Sequence, residues 1–258
     1  MAAILLDIDG VLHVSGEPLP GAVEAVATLR DAGHDLRFIT NNSTRSRAQL
    51  VEELRAMGFD LDPDEVQTTG GTAARELAGK RVFALVMAGL VDDLEGLELV
   101  GEGADAVLIG GCDETTEPNQ VFSYMNLGRA FAELQAGAEL YCLHKNRWWQ
   151  TKRGPMLDAG VFVAGLEYAT GMDAIVIGKP SAAYFAAALE ALDAEPELTW
   201  MVTDDLEADV PGAQMFGMKT VLVRTGKFRP ETLERSTQVP DMVLSSIAQF
   251  PEWLERAL

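Results

Sequence analysis

The chain is poor in cysteine, in histidine and in positive charge, and each shortage removes a class of reading. Cys112 and Cys142 are the only two cysteines in 258 residues, too few for a disulfide framework or a cysteine-rich metal site. The simplest setting for two free thiols is a reducing cytoplasm. His13, His34 and His144 fall in unrelated segments and suggest neither a metal cluster nor a nucleophilic triad. Twenty Lys and Arg against forty Asp and Glu leave a formal charge of −20. Such a surface repels phosphate backbones and anionic lipids, which argues against a nucleic-acid or membrane-surface partner. No apolar run approaches the ~20 residues of a membrane span. The opening MAAILLDIDG has no basic segment before its apolar run, so it does not read as a secretory signal. Internal repeats, low-complexity runs and long charge blocks are also missing.

What is present is an alternation of short apolar runs with helical periods. The run Ala2 to Leu6, ending at Asp7, is too short for a helix and fits a strand buried on both faces of a parallel sheet. A helical stretch through Leu29 closes at Gly33, a strand spans Asp35 to Ile39, and a helix from Arg47 to Met57 stops at Gly58. Strands over 81–86, 106–109, 139–143, 174–177, 198–202 and 219–223 follow, with helices over 73–77, 121–134, 182–192, 209–216 and 246–257. Strand, helix, strand in sequence implies right-handed βαβ units and an open, doubly wound parallel sheet.

In such a sheet ligands gather beyond the carboxyl ends of the strands. Four expected strands end there in polar clusters: Asp7-Ile8-Asp9, Thr40-Asn41-Asn42, Gly178-Lys179 and Asp204-Asp205. Each alone has a plainer reading, as a turn, a helix cap or a surface lysine. Together they supply carboxylates from two strands, a hydroxyl and a lysine, which is the inventory of phosphoryl transfer. Asp7 and Asp9 are close like charges that call for a cation or a proton. With Asp204 they form an all-oxygen set suited to magnesium. In a chain this acidic, an anionic substrate needs that metal, a lysine and backbone N–H groups for local positive charge. Lys145, Asn146 and Arg147 make a small basic island beside Trp148 and Trp149; it reads equally as a substrate-gripping loop or as a solvated loop with packing aromatics.

Asp7-Ile8-Asp9-Gly10-Val11-Leu12 resembles the first signature of the haloacid dehalogenase superfamily, and Phe38 to Ser46 is similar to the second as it occurs in the NagD-like branch. Gly178-Lys179-Pro180-Ser181 and Asp204 to Asp209 resemble the third and fourth. Leu143 to Trp149 and Phe162 to Ala169 most resemble the phospholysine phosphohistidine inorganic pyrophosphate phosphatase group. The resemblance spans nearly the whole chain. Thr203 departs from it, standing where the family usually has glycine; a β-branched residue there raises the expectation of crowding beside the metal.

The resemblance implies a Rossmann-like catalytic core from residues 1–75 and 175–258 with an inserted α/β cap at 76–174. It implies Asp7 as nucleophile and Asp9 as general acid and base. Thr40, Asn41 and Lys179 would bind the phosphoryl group. Asp7, Asp9 and Asp204 would hold Mg2+, with Asp205 and Asp209 orienting its waters. An aspartate at position 9 favours a phosphatase over the metal-free dehalogenases and the ion pumps. The implied substrate is a small phosphorylated metabolite, a monoester or a pyrophosphate or phosphoramidate, and the implied assembly is a homodimer or higher oligomer through the cap. Two alternatives share these residues: a non-catalytic member that binds a phosphorylated ligand or a protein partner, and a phosphotransferase.

Overall fold

The computed structural model describes residues 1–151 and 154–258. Ala3–Asp7 is buried at every position, as a strand at the centre of a sheet covered on both faces must be. It lies in a six-stranded parallel sheet whose order is Val66–Gln67, Asp35–Ile39, Ala3–Asp7, Thr199–Thr203, Lys219–Val223, Met242–Leu244. The chain winds outward from Ala3–Asp7 in one direction and then from Thr199–Thr203 in the other. Between those two strands is the topological switch point, where open α/β sheets form a crevice.

Alternate side chains of the central strands go to opposite faces, as the period of two requires. Ile4, Leu6 and Val202 join a cluster with Val26, Leu29, Phe250 and Leu254 from the helices Ala22–Asp31 and Phe250–Ala257. Leu5 and Met201 face the other way, onto Tyr184, Phe185 and Ala213 of the helices Ala182–Leu192 and Asp209–Met215. Each fully buried aliphatic or aromatic side chain contributes about 1.5–3 kcal/mol, so the sheet that carries the polar strand ends is anchored from both sides.

The chain divides into two compact units. The first comprises residues 1–40, 50–67 and 179–258, the second 41–49 and 68–178. In the second, parallel strands run in the order Ile175–Val176, Glu139–Cys142, Ala106–Ile109, Arg81–Leu85, Glu98–Leu99. One face packs on the helices Tyr124–Gln135 and Gly160–Thr170, with Phe122 and Phe162 stacked at 4.3 Å. An antiparallel pair, Trp148–Thr151 with Gly154–Leu157, completes the unit.

The sequence reading places the inserted segment at 76–174, whereas the second unit spans 68–178 together with 41–49. The helix Thr69–Glu76 accounts for part of that difference: Ala73, with Leu77 just past its end, packs against Leu90 and Leu94 of the second unit. The C-terminal helix begins at Phe250 instead of Ser246, after a 3-10 turn at Ile247–Gln249. Among the described residues no helix is long and apolar enough to cross a membrane.

Candidate active site

Asp7 is the last residue of its strand, and Thr40 and Asp204 each directly follow the end of another. The parallel register brings these ends to one edge of the first unit. Asp7 is buried, and its Oδ1 accepts the Ile8 N–H at 2.9 Å and lies 2.7 Å from Lys179 Nζ. Lys179 is only 3% exposed, and its ammonium also donates to Asp209 Oδ2 at 2.8 Å. A buried ammonium is tolerable only when paired, and removing one partner of such a pair costs about 3–5 kcal/mol. Burial opposes the Lys179 charge, but Asp209 and Asp7 outweigh it and hold its pKa well above the ordinary value. For Asp7 burial dominates. It drives the carboxyl well above its usual range against the pull of Lys179, with the Asp209 and Asp204 charges adding to the rise.

Asp9 differs from Asp7 in being exposed to solvent. Thr40 Oγ1 donates to Asp9 Oδ2 at 3.1 Å, and His13 Nε2 stands 3.9 Å from Asp9 Oδ1. The sequence reading leaves His13 without a role; a two-residue strand pairing, His13–Val14 with Glu17–Pro18, brings it back beside Asp9. Thr40 is itself fixed from behind. The Tyr184 hydroxyl donates toward Thr40 O and Gln67 O, both at 2.9 Å, and accepts the Thr40 N–H at 3.2 Å.

The fourth cluster is more internally bonded than the sequence suggests. Thr203 Oγ1 donates to Asp209 Oδ2 at 2.8 Å and accepts the Asp205 N–H at 3.0 Å. Its side chain therefore bridges the cluster instead of crowding it. Asp205 Oδ1 accepts the N–H groups of Glu207 and Ala208, and its Oδ2 takes the Lys227 ammonium at 3.0 Å. Burial works against the Asp205 charge, yet Lys227 prevails and its pKa lies below the ordinary value. Asp204 Oδ2 accepts the Lys227 N–H at 2.6 Å. Burial, opposed by Lys227 and aided by Asp205 and Asp209, pushes Asp204 up to about 7. Asp205 and Asp209, expected to orient metal-bound water, thus each carry a lysine ammonium. The sequence puts Arg224 to Lys227 after a strand on the catalytic side, where a solvent-exposed loop is the plainer reading; the structure instead sets Lys227 against Asp204 and Asp205, a role for which a loop lysine carries no periodic signal.

Five carboxylates (Asp7, Asp9, Asp204, Asp205, Asp209) and two ammoniums (Lys179, Lys227) meet in this unit, an excess of negative charge that a divalent cation would offset. Among the described residues no three His, Cys, Asp or Glu side chains group to hold an ion by themselves. The surplus of carboxylates over ammoniums in this unit suits a cation that takes one or two carboxylates and retains water, as magnesium does. Asp7 and Asp204, at the ends of neighbouring strands, are the carboxylates that would hold it.

Asn41 follows Thr40 in the chain and opens the second unit, which also holds Lys145, Asn146 and Arg147. Lys145 Nζ is paired with Glu167 at 2.7 Å. His144 Nε2 lies 2.7 Å from Ser43 Oγ and 3.8 Å from Asp158 Oδ1, while Nδ1 accepts the Asn146 N–H at 3.3 Å. Serine and carboxylate share one ring nitrogen, whereas a nucleophilic triad uses opposite ones. These three residues brace the loop that carries Lys145, Asn146 and Arg147. Cys112 and Cys142 are inert by their surroundings, burial pushing both thiols up to about 12.

The chain is similar to several known proteins. A family model described as haloacid dehalogenase-like hydrolase matches residues 4–100, and one described as HAD-hydrolase-like matches residues 176–250. Haloacid dehalogenase-like hydrolase domain-containing protein 2 of Homo sapiens is 38% identical over 261 residues, covering 100% of this chain and 96% of its own. The phospholysine phosphohistidine inorganic pyrophosphate phosphatase of Homo sapiens is 37% identical over 259 residues, covering 97% and 93%. Among solved structures, a p-nitrophenyl phosphatase from Archaeoglobus fulgidus superposes with a TM-score of 0.89 and 30% identity, covering 98% of each chain.

Proposed function

Because this chain belongs to the haloacid dehalogenase-like hydrolases, we propose that it is a phosphatase that removes phosphate from a small metabolite through a phosphoryl group carried on Asp7. The observation that carries this reading is the buried Asp7 carboxylate at the switch point with Lys179 Nζ 2.7 Å away. Lys179 fixes the carboxylate and neutralises part of the incoming phosphate charge. An Asp7 oxygen attacks phosphorus, and the bond from phosphorus to the leaving oxygen breaks. Asp9, exposed and steadied by Thr40, gives that oxygen its proton. Asp9 then takes a proton from water, the water oxygen attacks phosphorus, and the bond to Asp7 breaks to release inorganic phosphate. Asp7, Asp204 and the Asp9 carbonyl would hold Mg2+, which would neutralise charge on the phosphoryl group and the carboxylates. By the family resemblance the Asn41 N–H would be a further donor to a phosphoryl oxygen.

The second unit corresponds to the inserted cap of this family, and it chooses the substrate through the segment Lys145, Asn146 and Arg147. The 37% identity to a pyrophosphate phosphatase and the likeness to a p-nitrophenyl phosphatase make pyrophosphate, phosphoramidates and simple esters the first compounds to try. Phosphate release should occur on some of them with magnesium and stop with chelator. A Lys145→Ala, Arg147→Ala variant should change the ranking of substrates more than turnover of p-nitrophenyl phosphate. A folded protein silent on the whole panel with magnesium would remove the reading.

A further inference from the structure

The loop after the strand Lys219–Val223 reaches back over the two carboxylates that follow Thr203, and it treats them differently. Asp204 receives from it only a backbone donor, the Lys227 N–H on Oδ2, and no hydrogen bond from a described residue is recorded on its Oδ1. Asp205 is fully engaged. Its Oδ1 accepts two N–H groups at the start of the helix Asp209–Met215, and its Oδ2 takes the Lys227 ammonium. The close approach is built in. Gly10 and Gly226 both have left-handed backbone, at φ +81° and +55°, and a side chain on either would collide with the Asp204 carboxylate. Thr225 Oγ1 donates to Gly10 O, which ties the loop to the segment carrying Asp9. One residue therefore presents Asp204 with its main chain and occupies Asp205 with its side chain.

We propose that Lys227 is a positioning residue that withholds Asp205 from the bound cation, and so sets the preference of the site for a small, water-retaining divalent ion over a larger one. The inference rests on the metal reading above. Magnesium keeps several waters and takes one or two carboxylates, whereas calcium gathers six to eight oxygens and tightens as carboxylates are added. With Asp205 occupied, the site offers too few protein oxygens to favour calcium. Two contributions separate cleanly. Loss of the Lys227 charge strengthens attraction for both ions alike, because both carry the same charge. Release of Asp205 as an extra ligand favours calcium alone. The ratio of the two affinities isolates the second contribution, and a merely structural role for Lys227 would weaken both ions together.

The test is calorimetric titration of the full chain with magnesium chloride and, separately, calcium chloride, for wild type and Lys227→Met. The calcium-to-magnesium affinity ratio should rise on the order of tenfold in Lys227→Met. It should stay at the wild-type value in Lys227→Arg and return to it in Lys227→Met, Asp205→Asn. Lys227→Gln, which keeps a donor without the charge, should give a smaller rise and serves if the methionine variant does not fold. An unchanged ratio in a folded uncharged variant would overturn the role of Lys227 and leave the metal reading standing. Failure of wild type to bind either ion would overturn both.

Discussion

Thr203 stands where the family resemblance leads one to expect glycine, and its hydroxyl is fully employed. It donates to Asp209, which holds Lys179, and it accepts the Asp205 N–H. Sequence alone flagged the position but suggested crowding; a β-branched side chain was visible, while the direction of its hydroxyl depends on a partner six residues on. Thr203→Val keeps the shape and deletes both bonds, leaving a buried carboxylate short of a donor. Such a loss costs about 1–3 kcal/mol. Urea denaturation should show that destabilisation, and turnover should fall as Lys179 loses a fixed partner. A variant as stable and as active as wild type would show that the bridge is dispensable.

At the scale of elements, the strand-end clusters were legible because each is local in sequence and each follows an apolar run. What joins them was not. Tyr184 sits on the helix Ala182–Leu192, whose first turn is capped by Ser181 Oγ on the Tyr184 N–H. Its hydroxyl reaches the ends of two strands, at Thr40 and Gln67, and the Gln67 amide returns the contact by donating to Tyr184 O at 2.8 Å. That link spans more than a hundred residues and rests on a side chain that reads, by hydropathy, as plain core. The strands Val66–Gln67 and Met242–Leu244 are likewise too short to show a period. Tyr184→Phe removes the hydroxyl that both strand ends share, leaving the Thr40 N–H to Gln67 O bond to join them. It should destabilise the protein by about 1–3 kcal/mol, read from the denaturant midpoint with an unchanged slope. No shift would mean that water replaces the hydroxyl without cost.

Over the whole molecule, the formal charge of −20 argues against polyanionic partners and points to no particular site. The first-unit carboxylates and Lys179 were nevertheless recoverable from order and spacing. Hydropathy gives no sign of where the units divide, since the strand-end motif Phe38 to Ser46 is itself split, with residues 41–49 grouped in the second unit. The charge balance has a consequence for pH. Burial, against the pull of Lys227, raises Asp204 from its ordinary 3.8 to about 7. Without a cation, the folded protein retains a proton that the unfolded chain releases above about pH 4, so stability from this group is present in acid and lost as pH rises through 7. A divalent cation takes the place of that proton. Saturating magnesium should therefore raise Tm by roughly 2–4 °C more at about pH 8 than at about pH 5.5. An equal shift at both would show that Asp204 is not where the cation and the proton compete.

The central claim is that phosphate passes through Asp7, and rapid-quench kinetics with p-nitrophenyl phosphate and magnesium tests it most directly. The account predicts an initial burst of p-nitrophenol, with one phosphoryl group recovered by mass spectrometry on the peptide containing Asp7. In Asp7→Asn both should vanish, and kcat should fall by about 10⁴-fold or more with the fold intact. Turnover with no phosphoryl group on Asp7, together with an active Asp7→Asn enzyme, would contradict it.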